Sequence, residues 1–208
     1  MKTNSNSYTI IYSAVIVVIV AFLLAFVFQA LKSKQDANVA LDQKKQILNS
    51  LNIRDLGNEE TEATYKKVVK SEQKVNEGTI YTCDINGQTK YVFTVKGMGL
   101  WGGINGFISV NDDKNTVYGA YFNHEGETAG LGAEIKDNAD WQKKFQGKKL
   151  FKEGDTQNIA LSVKKKVENT SNEVDAVTGA TLTSNGVAEM LSNKEKGLGQ
   201  YLEFLNKK

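Results

Sequence analysis

The 208-residue sequence contains one histidine, His124, one cysteine, Cys83, and no proline. A zinc cluster needs several Cys or His ligands, and a disulfide or redox pair needs two thiols, so these sites are excluded within the chain. A Ser-His-Asp site would have to use His124, for which a surface or locally hydrogen-bonded role is favoured over metal binding or base catalysis. The 26 basic and 24 acidic side chains nearly balance, which argues against a nucleic-acid partner. We therefore expect neither catalytic residues nor metal ligands of the usual kinds.

One long uncharged segment runs from Tyr8 to Leu31 and is rich in Ile, Val, Leu, Phe and Ala. At about 1.5 Å per residue, a helix of this length spans the roughly 30 Å hydrocarbon core of a membrane. A cleaved signal peptide is the alternative. Its apolar region is normally shorter and ends in small residues, whereas Phe26 and Phe28 lie near this end. We predict a transmembrane helix at 8–31 after an N-terminal tail of residues 1–7.

Two further regions follow the apolar segment. Residues 32–77 are mostly polar and predict a helical stalk, with a second helix around Thr61–Val75. From residue 78 the polar and apolar residues alternate, and Asn86-Gly87 between two such runs is a strong hairpin signal. Strands are predicted at 79–85, 89–95, 106–110 and 116–122, and helices around 137–145 and from about residue 184. This order predicts an α+β domain over 78–208, with a mainly antiparallel sheet and flanking helices.

Two glycine-rich loops between these elements are candidate binding segments. Gly97–Gly102 matches G-x-G-x-x-G, but a strand follows it and no acidic residue stands about 20 positions on, so a dinucleotide-binding fold is rejected. Trp101 in this loop suits either the core or contact with a flat ligand. Asn123–Gly132 is the second loop, and its glycines permit close approach of a backbone.

The segment Asp175–Gly186 is the third candidate. One interpretation is a helix start capped by Thr183 or Ser184, with a turn at Gly179. The other is a phosphate site, because backbone N–H groups at a helix start attract anions. The residue pattern alone leaves both interpretations open.

This third segment resembles the flavinylation motif of covalent FMN-binding domains, D-x-x-[ST]-G-A-T, with Asp175 and Thr178–Thr181 at the motif positions. The anchor, the stalk, Gly99–Gly102 and Glu127–Gly132 occur in the same order in the C subunit of sodium-translocating NADH:quinone reductases, which the chain resembles. The resemblance implies that FMN is attached through a phosphoester to the hydroxyl of Thr181. A separate magnesium-dependent flavin transferase would take the FMN moiety from FAD.

The resemblance also assigns roles to the surrounding residues. Asp175 and Thr178 would shape the turn, and Gly179 and Ala180 would leave room for the transferase. Thr183 and Ser184 would hold the helix start near the phosphate. The residues implied to line the flavin ring are Leu100, Trp101, Thr128, Leu131 and Gly132.

The implied function is electron transfer within a membrane complex of six subunits, and this subunit is not expected to be active alone. Electrons from NADH would pass through FAD and iron–sulfur centres of partner subunits to this FMN, then to a second FMN, riboflavin and quinone, with coupled sodium export. The family places the flavin domain on the periplasmic side of the bacterial inner membrane. Lys32, Lys34, Lys44 and Lys45 after the apolar segment would instead favour the cytoplasm.

Two departures and two alternatives accompany the resemblance. The family loop commonly has Pro where this chain has Ala129, and many relatives lack a histidine at His124. The G subunit of the Rnf electron-transport complex shares the anchor and the motif, but the long stalk and the 8–13 stretch favour the reductase family. A membrane-tethered module that binds its ligand noncovalently in the glycine-rich loops is the alternative from another class.

Overall fold

The computed structural model describes residues 6–207, so residues 1–5 of the predicted tail lie outside the described part. Two compact units divide the chain, one ending at Asp42 and one beginning at Gln43. The longest helix, α1, runs from Asn6 to Ser50.

The first unit is the part of α1 up to Asp42. Its apolar side chains from Ile10 to Leu31 are exposed along the helix. Within residues 6–207, α1 is the one helix long and apolar enough to cross a membrane. The predicted span at 8–31 lies entirely within it.

The second unit is built on a five-stranded antiparallel sheet in which each strand pairs with the next along the chain. Asn86 and Gly87 join the second and third strands with φ of 53° and 81°, as a type I′ turn requires. The predicted hairpin and antiparallel sheet are therefore confirmed. The strands are β1 (Val69–Val75), β2 (Gly78–Ile85), β3 (Gln88–Met98), β4 (Gly103–Asn111) and β5 (Val117–His124).

Both faces of this sheet are buried. Side chains alternate between faces along each strand, so Phe93 and Phe122 lie in one core while Val92 and Phe107 lie in another. Ile47, Leu48 and Leu51 at the end of α1 pack in the second core, together with Val68 of α2 (Asn58–Val68).

The first core is closed by the elements that follow β5. Two short helices, α3 (Glu134–Asp137) and α4 (Ala139–Lys143), precede a parallel strand pair, β6 (Ser162–Lys164) and β7 (Glu173–Asp175). The main helix of this face is α5 (Thr181–Ser192), followed by a 3₁₀ turn (Leu198–Tyr201) and α6 (Leu202–Asn206). Trp141, Val187 and Tyr201 are buried here.

Some local predictions are wrong. The helix expected around Thr61–Val75 ends at Val68, and Val69–Val75 forms β1 instead. The middle of β1 is exposed, so no apolar alternation marks it, and pairing with β2 decides its conformation. Helix α5 begins at Thr181, earlier than expected, and β6 and β7 were not predicted.

Candidate functional site

Three separate segments enclose a cavity of about 360 Å³ at one end of the sheet. They are the loop between β3 and β4, the loop after β5 and the start of α5. The lining residues are Leu100, Trp101, Glu127, Thr128, Leu131, Gly132, Gly179, Ala180, Thr181, Leu182 and Thr183. All five residues expected to line a flavin ring, and the motif from Gly179 to Thr181, are therefore brought together around one cavity.

Thr181 is the first residue of α5, and it is exposed. Ala180 occupies the N-cap position and supplies no side-chain acceptor, so the first N–H groups of the helix gain no capping side chain. The N–H groups in the first turn of a helix and the helix dipole make such an end favourable for an anion. A hydroxyl and a helix start that favours anions thus both line the cavity.

Thr183 and Ser184 do not cap α5, so the capping interpretation is wrong. Both lie inside the helix, are buried, and bind neighbouring segments instead. The N–H of Val177 donates to Oγ of Ser184 at 3.1 Å, and Oγ1 of Thr183 donates to Oε2 of Glu127 at 2.5 Å. These two hydroxyls hold the helix start against the turn before it and against the loop after β5.

The apolar wall of the cavity is exposed to solvent. Trp101 is 69% exposed, which settles the open choice for this residue against the core. Leu100, Leu131 and Leu182 are exposed beside it. Soluble domains seldom leave large apolar side chains clustered on the surface unless they bind another molecule. This wall therefore has the character of a binding surface for a flat apolar group.

Two glycines of the cavity are favoured for different reasons, one by its backbone conformation and one by close packing. Gly179 has φ of +77°, a conformation that favours glycine. A Cβ on Gly132 would lie 2.3 Å from Oε2 of Glu127 and 2.6 Å from Oγ1 of Thr183. Alanine at Gly132 would therefore displace the contacts that hold the cavity together.

Glu127 is a lining residue that the sequence patterns did not single out. It belongs to the Glu127–Gly132 motif, but no pattern in the sequence marks its carboxylate as buried and hydrogen-bonded. Oε1 accepts from the N–H of Trp101 at 2.9 Å, and Oε2 accepts from Thr183. Burial raises the pKa of Glu127, but these hydrogen bonds and one from the N–H of Leu100 outweigh it, so the pKa lies below its ordinary value.

Asp175 and Thr178 do not line this cavity. They line a second groove of about 340 Å³, together with Trp141 and Lys144. Lys144 forms an ion pair with Asp175 at 2.7 Å, and Nε1 of Trp141 donates to the backbone carbonyl of Asp175 at 2.8 Å. The two halves of the motif thus face different surfaces.

His124 makes a local backbone hydrogen bond, and Cys83 is a buried free thiol. Nδ1 of His124 accepts from the N–H of Glu127 at 3.1 Å, which is a local turn contact. Burial raises the pKa of the Cys83 thiol to about 12. Within residues 6–207, no group of three or more His, Cys, Asp or Glu side chains could hold a metal ion.

Comparison with known proteins extends these observations. Residues 99–194, which include every lining residue, match the family model of the FMN-binding domain. The C subunit of the Na(+)-translocating NADH-quinone reductase of Haemophilus ducreyi is 43% identical over 123 residues, which are 57% of this chain and 47% of that protein. The same protein of Pasteurella multocida is 43% identical over 125 residues, 59% of this chain and 47% of that protein. The matched part therefore spans about half the length of these curated relatives.

Two solved structures match over most of the chain. NqrC of Shewanella oneidensis has a TM-score of 0.63 and 23% identity, covers 79% of this chain and 96% of its own, and supports the fold alone. The C subunit of the Na(+)-translocating NADH-quinone reductase of Parabacteroides distasonis has a TM-score of 0.78 and 36% identity. The alignment covers 86% of this chain and 98% of that one. This match in fold and sequence, over nearly all of the Parabacteroides distasonis chain, shows that this chain belongs to the NqrC family, the C subunits of Na(+)-translocating NADH-quinone reductases.

Proposed function

We propose that this chain is the FMN-carrying, electron-transferring subunit of a sodium-translocating NADH:quinone reductase, with FMN attached through a phosphoester to Thr181. The observation that carries the proposal is one cavity with an exposed threonine hydroxyl, a helix N-terminus and an exposed apolar wall. Its volume of about 360 Å³ lies within the range usual for small-molecule sites, about 300–1,000 Å³. The residues present therefore fit a phosphorylated, flat aromatic group.

Each lining element has a task in this proposal. The N–H groups at the start of α5 bind the phosphate that the Thr181 hydroxyl esterifies. Leu100, Trp101 and Leu131 contact the ring, and Thr128 and Gly132 complete its pocket. FMN supplies the one-electron chemistry when bound, while the protein sets its position and electrostatic surroundings.

The second groove has a different task. Asp175 and Thr178, which line that groove, shape the turn that presents Gly179–Thr181 to the cavity. A threonine hydroxyl is a weak nucleophile without a neighbouring base. Among the described lining residues, Glu127 is the one candidate base, and its carboxylate already accepts a hydrogen bond from Thr183. This supports attachment by a separate flavin transferase that acts on the exposed motif.

The remaining parts of the proposal concern the complex and the membrane. We propose that α1 anchors the chain in a bacterial inner membrane as a single-pass helix and that the flavin domain is periplasmic. Five other subunits complete the relay of electrons from NADH to quinone, which is coupled to sodium export. Protease added to intact spheroplasts should digest the flavin domain. Protection until lysis would reverse the orientation and favour the one indicated by the lysines after the apolar segment.

The attachment is tested by coexpressing the full chain with a flavin transferase and separating the product on a denaturing gel. The wild-type band should fluoresce as a flavin, Thr181→Ala should abolish the fluorescence, and Thr181→Ser should retain it because a hydroxyl remains. Thr170→Ala, at an exposed threonine outside the cavity, is the matched control and should stay fluorescent. Fluorescence that persists in Thr181→Ala would remove Thr181 from this role, and a dark wild-type band would favour a noncovalent binding module.

A further inference from the structure

The cavity has one fixed charge in its lining. Among the described lining residues, Glu127 alone carries a formal charge, and the other side chains there are apolar or hydroxyl-bearing. Glu127 is only 7% exposed, although acidic side chains are rarely buried unless they are paired or well hydrogen-bonded. Its hydrogen bonds must therefore compensate for the burial of a charge.

Those hydrogen bonds connect the three segments that form the cavity. Oε1 binds the N–H of Trp101 in the loop between β3 and β4, and Oε2 binds the hydroxyl of Thr183 in α5. Glu127 itself lies in the loop after β5. One carboxylate thus bridges the apolar wall and the helix that carries the attachment threonine.

The neighbouring glycines are consistent with a site built around this carboxylate. A Cβ on Gly99 would lie 2.4 Å from Oε1, and a Cβ on Gly132 would lie 2.3 Å from Oε2. Real side chains do not approach so closely, so both oxygens occupy space that any other residue at these positions would fill. The backbone on both sides makes room for the carboxylate.

Resting on the proposed function, we propose that Glu127 is a positioning residue with two effects on the flavin. It holds the Trp101 loop and the start of α5 in one arrangement, and it places a permanent negative charge at the flavin cavity that lowers the midpoint potential of the bound FMN. The charge effect follows from electrostatics, because a fixed negative charge beside a flavin disfavours the addition of an electron to it.

Two substitutions separate the two effects. In Glu127→Gln the amide oxygen can still accept from the N–H of Trp101, and the amide N–H can donate to the hydroxyl of Thr183, which can accept as well as donate. Glutamine therefore retains the bridge and loses the charge. Glu127→Ala loses both, and Glu125→Gln at an exposed carboxylate two residues earlier is the matched control.

The charge is tested by redox titration of the full-length flavinylated chain with dithionite and mediator dyes. Glu127→Gln should shift the midpoint potential to more positive values, while Glu125→Gln should leave it close to that of the wild type. A Glu127→Gln potential equal to that of the wild type would overturn the charge effect. A wild-type chain without covalent flavin would instead refute the proposed function, which keeps the two failures distinguishable.

The bridge is tested without any flavin, by tryptophan fluorescence anisotropy of the full chain carrying Trp141→Phe. Trp101 is then the one tryptophan left, because the sequence has two. Glu127→Ala should lower the anisotropy as the loop gains motion, and Glu127→Gln should restore it. If Glu127→Ala does not fold, Thr183→Ala removes one donor to the carboxylate and should lower the anisotropy to a smaller extent. Unchanged anisotropy in the folded variant would overturn the bridge.

Discussion

Two groups of exposed apolar side chains in this protein look alike residue by residue and differ in how they are assembled. The first group is continuous in sequence, from Ile10 to Leu31 on α1. The second group, in the compact unit from Gln43 onwards, consists of Met98, Leu100, Trp101, Leu131 and Leu182. Four of these five line the candidate flavin cavity, and Met98 is close in sequence to Leu100 and Trp101.

The difference indicates what each group binds. A helix that is apolar on all sides over more than 20 residues matches the thickness of a hydrocarbon core. A small patch gathered from three segments, with a helix N-terminus and a hydroxyl at its edge, matches one flat molecule with an anionic end. The first group therefore matches a lipid bilayer, and the second matches a single bound molecule.

The largest expected effect concerns the first group. Val18→Asp combined with Phe22→Asp places two carboxylates near the middle of the apolar segment, at a cost to membrane insertion of about 5–7 kcal/mol, from about 2.5–3.5 kcal/mol each. The variant should move from the membrane pellet to the supernatant in carbonate extraction. Val39→Asp is the control, since Val39 and Val18 are both 68% exposed but Val39 lies beyond the segment. Retention of the double variant in the pellet would contradict a lipid-facing role.

A smaller effect on stability is expected when a substitution shifts the loop that carries part of the second group but leaves its side chains unchanged. A Cβ on Gly186 of α5 would lie 2.2 Å from the backbone carbonyl oxygen of Met98. Gly186→Ala should lower the free energy of unfolding by about 1–3 kcal/mol through overpacking. It should also reduce the yield of covalent flavin, because the loop between β3 and β4 must shift. Urea unfolding and gel fluorescence measure the two results.

Gly126→Ala is the matched control for this change. No heavy atom lies within 4 Å of a Cβ at Gly126, and its φ is not in the left-handed region. The free energy of unfolding should therefore stay within about 0.5 kcal/mol of the wild type. An equal loss in both variants would show that the contact with Met98 is not the cause.

The sequence predicted the first group better than the second for a physical reason. Hydropathy along the chain detects a continuous apolar segment, so the span at 8–31 could be located directly. Hairpin chemistry at Asn86-Gly87 likewise located β2 and β3. Both signals are local, and neither needs tertiary contacts.

The second group and its bridge depend on tertiary contacts. Trp101 could have been a core residue on composition alone, and only the packing of three segments leaves it exposed. The lining residues were expected through the family resemblance, residue by residue, rather than through any periodicity. Glu127 was not selected because nothing local distinguishes a buried, hydrogen-bonded carboxylate from the exposed Glu125. Strand β1 was mistaken for helix because its partner β2, and not its own pattern, determines it.

The smallest expected effect concerns FMN affinity and distinguishes two members of the second group. Trp101 and Met98 are almost equally exposed, 69% and 68%, but only Trp101 lines the cavity. In the Thr181→Ala background, where FMN cannot be esterified at that residue, Trp101→Ala should weaken noncovalent FMN binding about 2- to 12-fold, the equivalent of about 0.5–1.5 kcal/mol for one aromatic contact. Met98→Ala should leave the affinity unchanged. Fluorescence titration with FMN measures both dissociation constants, and equal losses would mean that exposure alone, rather than position at the cavity, governs the contribution of these side chains.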